Sequence, residues 1–170
     1  FEQLSRVADL QVARATGLST STTGRSVTIS PITRSQYALG AVDAYRPLIE
    51  QVAGALAAVE PAAEPEDPFV DPAEVWLGQL MGALSPMLLG MTTGSLVGHL
   101  ATRAFGQYDL PIPRPAGDEI QVVTANVDAF GSDWSLDGDD LRLWVCLHQI
   151  THHAVIGLPH VRGRLDALLM

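Results

Sequence analysis

The stretch LRLWVCLHQITHHAVIGLPHV, Leu141 to Val161, decides how this chain is read. It holds four of the five histidines: His148, His152, His153 and His160. His148 and His152 are four residues apart, which on an α-helix stacks both imidazoles on one face, about one turn from each other. Two nitrogens so placed can grip one zinc ion. The catalytic form of this spacing is His-Glu-x-x-His, in which the glutamate moves a proton from the attacking water to the leaving group. Here the run reads His-Gln-x-x-His. Gln149 keeps the shape of a glutamate but cannot accept and return a proton at neutral pH.

A catalytic zinc takes three protein ligands and keeps one position open. His148 and His152 supply two. His160, past the turn at Gly157 and Pro159, is the candidate third; Asp166 and a residue outside this sequence are the alternatives. His153 points about 100° away from His152, which suits a supporting or surface role. The segment has the marks of a well-defined helix. Asp137 precedes it as an N-cap, and Asp139 and Asp140 suit the dipole at its start. Gly157 and Pro159 stop it, and a short helix over Val161–Leu169 follows. Leu141, Trp144 and Val145 share the histidine face and are expected to pack it inward. Cys146 reads as a buried thiol on the same helix.

Composition narrows the classes. The chain of 170 residues is 47% apolar and 17% charged, which gives enough material for a packed core and argues against disorder. The net charge of -9 argues against a nucleic-acid or anionic-membrane binder. One cysteine excludes an internal disulfide. No signal peptide is legible in FEQLSRVADL, so the expected location is cytoplasmic.

Upstream, Phe1–Ala15 has a short amphipathic helix pattern. The Ser/Thr/Gly-rich run at 17–30 reads as a loop with an extended piece at Ser26–Ile29. Thr33 and Gln36 form a capping box that opens a helix toward Val59, with Pro47 as an expected kink. Residues 60–70, EPAAEPEDPFV, read as an acidic, proline-rich connector. Asp71 and Pro72 then start a very apolar stretch without a charged residue between Glu74 and Arg103. It is long enough to cross a membrane, yet it carries glycine ladders at Gly78/Gly82 and Gly90/Gly94/Gly98. Two helices in a buried hairpin, breaking near Gly90–Gly94, are expected, with His99 a core histidine. Glu119–Thr124 has the β-branched content of a strand, and Asn126–Ser135 reads as a turn-rich connection.

The run DDLRLWVCLHQITHHAVIGLPHVRGRL resembles the signature of a zincin-like hydrolase family of high-GC bacteria, whose members read Trp-Val-x-Leu-His-Glu-x-x-His before a Pro-aromatic-x-Arg turn. The similarity runs back through TRSQYALGAVDAYRPLIEQVAGAL, LATRAFGQYDLPIP and EIQVVTANVDAF, about residues 31–169. It implies a mainly α, zincin-like helical domain with a short strand or hairpin before the motif helix. It also implies metal-dependent hydrolase or peptidase activity with zinc as the cofactor. His148 and His152 match the family's two metal-binding histidines. Gln149 stands at the general-base position and departs from it, and His160 stands where many members have an aromatic residue. The whole chain, 1–170, is then expected to be one domain, with 1–30 a peripheral helix and flexible loop. The leading reading is a metal-dependent hydrolase of metallopeptidase type, diverged toward weak or no activity. Its substrate would be an unidentified peptide or small molecule, without nucleic acid or membrane insertion, and self-association stays open. The alternative is a non-catalytic helical interaction module without metal.

Overall fold

The computed structural model describes residues 1–59, 72–110 and 117–169. Among them are six helices and two strands: α1 (Glu2–Thr16), β1 (Thr28–Ile32), α2 (Arg34–Val59), α3 (Pro72–Ala101), β2 (Glu119–Val123), α4 (Thr124–Asp133), α5 (Gly138–Ile156) and α6 (Pro159–Leu169). The domain is mainly α, as expected. The acidic connector at 60–70 lies outside the described residues.

The two strands pair in parallel, Thr28 opposite Glu119 through Ile32 opposite Val123. The strand expected before the motif helix is therefore present, and it is not half of a hairpin: α2 and α3 intervene in the chain. Pro31 is tolerated because β1 is an edge strand of the two-stranded sheet. The other edge of β2 receives the segment after α3. Val123 N–H donates to the Phe105 carbonyl at 2.7 Å, and Gln107 N–H donates to that of Gln121 at 3.1 Å. This short pairing fixes where Tyr108 and Asp109 go.

Two apolar clusters flank β2. One joins α1, both strands and α5 through Ala8, Val12, Ile29, Ile120, Val145 and Ile150. The other joins α2 and α3 through Tyr37, Ala41, Val97 and Val123. Helix α1 is thus not peripheral: Ala8 and Val12 are core residues because they occupy its i, i+4 face toward α5. The loop after it is not loose either. Asp118 accepts from Ser21 Oγ at 2.9 Å, Thr22 N–H at 2.6 Å, Thr23 N–H at 3.1 Å and the Thr23 hydroxyl.

Caps read from the sequence form as expected. Thr33 and Gln36 exchange hydrogen bonds at the start of α2, and Asp137 Oδ1 accepts from the N–H groups of Asp139 and Asp140 at 2.9 and 3.0 Å. Three expectations fail. Residues 72–101 form one continuous helix without a break at Gly90–Gly94, because glycine lowers helix propensity but leaves the hydrogen-bond ladder intact. That helix is not a buried hairpin. Only 6% of its most apolar window is buried, Trp76, Leu84, Met87, Leu88 and Met91 are exposed, and so is His99. By length and composition alone, Trp76–Ala101 could also cross a membrane. Finally, 126–133 is helical within α4, which starts without a side-chain cap and so carried no start signal.

Candidate metal centre on α5

Helix α5 has two chemically different sides. Its buried side carries Leu141, Val145, Cys146, Gln149, Ile150 and His153. Burial pushes the Cys146 thiol up to about 11, so it stays protonated and serves as packing. Trp144, His148 and His152 form a stripe at the margin of that side, with Trp144 51% exposed and both histidines partly exposed. The expectation that Trp144 packs inward is therefore corrected. The histidine pair sits at the rim of the core, not within it.

The pair itself has formed. The His148 and His152 rings lie 4.3 Å apart between centroids, and His148 stacks on Trp144 at 5.1 Å and 17°. His152 Nδ1 is 2.9 Å from the His148 carbonyl oxygen. A carbonyl only accepts, so this nitrogen carries a proton, and in the neutral imidazole Nε2 is the one with the lone pair. An imidazole held in this way by a backbone carbonyl is pre-oriented for a metal. His148 has its pKa lowered, first by burial and then by the neighbouring His152, against the opposing pull of Asp109. A neutral imidazole is the form that ligates. Two imidazoles so placed fit zinc in chemistry, and His152 in tautomer.

His160 is exposed on α6. The structure does not bring it to the pair: among the described residues no group of three or more His, Cys, Asp or Glu side chains gathers at metal-holding range. Asp166 joins no such group either.

Gln149 is fully buried, and both ends of its amide are engaged. Its Oε1 accepts from Tyr108 N–H at 2.9 Å, and its Nε2 donates to Asp109 Oδ1 at 2.6 Å. Gly106 makes this possible. A Cβ there would stand 2.7 Å from the Gln149 side chain and 2.8 Å from the Gln121 carbonyl. Asp109 is the acidic residue that reading the sequence missed. Its Oδ2 accepts from Phe105 N–H at 2.6 Å, and its Oδ1 lies 4.0 Å from His148 Nε2. It sits 39 positions before His148, beyond any helical spacing rule, and only the β2 edge pairing brings it there.

His153 is neither a surface group nor part of the pair. It is 2% exposed, with Nδ1 2.7 Å from the Tyr108 hydroxyl and Nε2 3.3 Å from Asp118 Oδ1. Burial alone would raise the Asp118 carboxyl, but hydrogen bonds from Thr23, Thr22 and Ser21 outweigh it and hold the group well below the usual carboxylate range. Asp118 thereby ties the 21–25 loop, β2 and α5 together.

The profile of the Zincin-like metallopeptidase family matches residues 1–159. A crystal structure from Chloroflexus aurantiacus, described as "a putative hydrolase with a novel fold", superposes with a TM-score of 0.67 at 23% identity. The match covers 98% of this chain and 47% of that one, so the chain spans about half the length of that protein. At that identity the likeness is one of fold. No curated protein matches the chain.

Proposed function

The chain belongs to the zincin-like metallopeptidase family, and from that premise we propose that it is a metal-dependent hydrolase of this type in which His148 and His152 hold a zinc ion. The observation that carries the proposal is the His152 Nδ1–His148 carbonyl contact at 2.9 Å, which leaves Nε2 free on the open edge of α5. A zinc ion at that edge would supply Lewis-acid polarisation of a scissile carbonyl. His148 is kept neutral for the purpose, and Trp144 fixes its ring plane.

Gln149 makes this a diverged member. Its amide holds the 106–109 segment in place and moves no proton. A glutamate there would set a second carboxylate 2.6 Å from Asp109, a like-charge pair that favours keeping one proton between them. The amide turns that repulsion into a hydrogen bond. Hydrolysis of a peptide or small substrate, in the cytoplasm, would then be weak or lost while metal binding persists.

Zinc stoichiometry tests this reading. Protein stripped with chelator and dialysed against zinc is expected to retain one ion per chain, and His148→Ala or His152→Ala to retain none. Wild type and both variants with the same low zinc content would overturn it. A second reading, a non-catalytic interaction module, draws on the exposed apolar residues of α3. Retention of zinc by wild type alone argues against it.

A further inference from the structure

We propose that α3 is a dimerisation helix, pairing antiparallel with the α3 of a second copy of this chain through a seam from Leu77 to Gly98. The inference is independent of the metal reading. It begins with spacing. Leu77, Leu80, Leu84, Met87 and Met91 recur at alternating steps of three and four, the a and d positions of a coiled-coil seam. Gly94 and Gly98 continue the same series. All five large side chains are exposed, from 38% at Leu80 to 63% at Met87 and Met91. A Cβ on either glycine would meet nothing within 4 Å.

The seam lies on the side of α3 that the fold leaves uncovered. The less exposed row of the helix is Leu89, Thr93, Val97 and Leu100, and the last two join the cluster of Tyr37 and Ala41 on α2. At about 100° per residue, the Leu77–Met91 row stands roughly opposite that contact. It runs about 33 Å at 1.5 Å per residue. With Trp76 and Leu88 exposed on its flanks, it approaches the roughly 800 Å² that each partner buries in a stable complex.

Charge and shape choose the occupant. Lipid would have to admit α2 as well, which packs on α3 and exposes Asp43, Arg46 and Glu50, and charges are costly there. A coiled-coil partner of different sequence is selected by charges flanking the seam, and no charged residue stands between Glu74 and Arg103. The seam fits itself. About a two-fold axis between Leu84 and Met87, Leu84 of one copy meets Met87 of the other, Leu80 meets Met91 and Leu77 meets Gly94, each contact occurring twice. The large Leu77 thus falls where the second copy has no side chain. The helix ends also meet opposite charges. Arg103, exposed and without an ion pair among the described residues, comes toward the start of the other helix, where the sequence carries Glu66, Asp67, Asp71 and Glu74. A parallel pair would bring two acidic starts together.

Sedimentation velocity of the whole chain and of Met87→Glu and Gly94→Leu tests this. Wild type is expected to be a dimer at about 10 μM. Met87→Glu sits on the exposed face of a single copy, and it is expected to raise the dimer dissociation constant more than about 100-fold by burying an unpaired carboxylate. Gly94→Leu is expected to weaken the dimer too, because it fills the space Leu77 needs, although nothing within one copy obstructs it. Wild type that stays monomeric at about 100 μM overturns the proposal. So does a dimer indifferent to Met87→Glu, and so does a monomer that partitions onto phosphatidylcholine vesicles, which assigns the face to lipid. Oxidation of mixed Leu77→Cys and Gly94→Cys proteins checks direction, and decides should Met87→Glu fail to fold. Cross-links between the two variants support the antiparallel pair; cross-links of either to itself alone, or none, refute it.

Discussion

Two neighbouring residues of α5, His152 and His153, divide the molecule into a closed region and an open one. His153 is 2% exposed, and both of its nitrogens contact protein groups, Tyr108 on one side and Asp118 on the other. His152 spends one nitrogen on its own helix, and the other has no hydrogen-bond partner among the described residues. The closed side holds the α1–β–α5 core together, and the open side is available for chemistry. One residue of helix rotation, about 100°, separates the buried histidine from the one at the rim. Counting histidines in the motif therefore says less than asking which nitrogen of each still has nothing to do.

The largest effect should come from cutting the closed side at its centre. Asp118→Ala leaves His153 and the 21–25 hydroxyls without their shared acceptor and is expected to cost about 3–5 kcal/mol in chemical denaturation. The same carboxyl sets a pH dependence. Its folded pKa is depressed, so its contribution is complete above the ordinary carboxylate range near pH 4 and fades as the pH falls below it. Acid unfolding of the Asp118→Ala protein should be correspondingly flatter. A loss under about 1 kcal/mol would mean that the closed side is not what holds the helix.

A smaller effect is expected where the two sides meet. Gly106→Ala places a Cβ against the Gln149 side chain and the Gln121 carbonyl, and the backbone oxygen cannot swing away. The expected cost is about 1–3 kcal/mol by thermal unfolding. A neutral outcome would show that the 106–109 segment can rearrange without disturbing α5. The smallest effect belongs to the open side. His148→Ala, proposed to remove zinc binding, is expected to change stability of the metal-free protein by no more than about 0.5 kcal/mol.

What the sequence made legible follows the range of the interactions. Local chemistry was readable: the Asp137 cap, the Thr33–Gln36 box, the stop at Gly157 and the stacked histidine pair all depend on residues within one turn of each other. The buried role of His153 was not, since its partners Tyr108 and Asp118 lie 45 and 35 positions away. Asp109 was hidden for the same reason. Hydrophobicity misled at α3, where the most apolar of the described helices is largely exposed. Apolar composition states that a surface wants covering, not that these residues cover it. At α4 the signal was simply absent, because Asn126 anchors that helix through the Ala101 and Ala104 carbonyls and not through a cap.

The imidazoles at the rim of α5 differ from the buried one in what their nitrogens contact, and nitrogen-resolved NMR of the histidine side chains during zinc titration tests that difference directly. The prediction is that the His148 and His152 ring signals move together and saturate at one equivalent, while those of His153 and His160 stay in place. Signals from His160 or His99 moving first, with the His148–His152 pair unchanged, would contradict it.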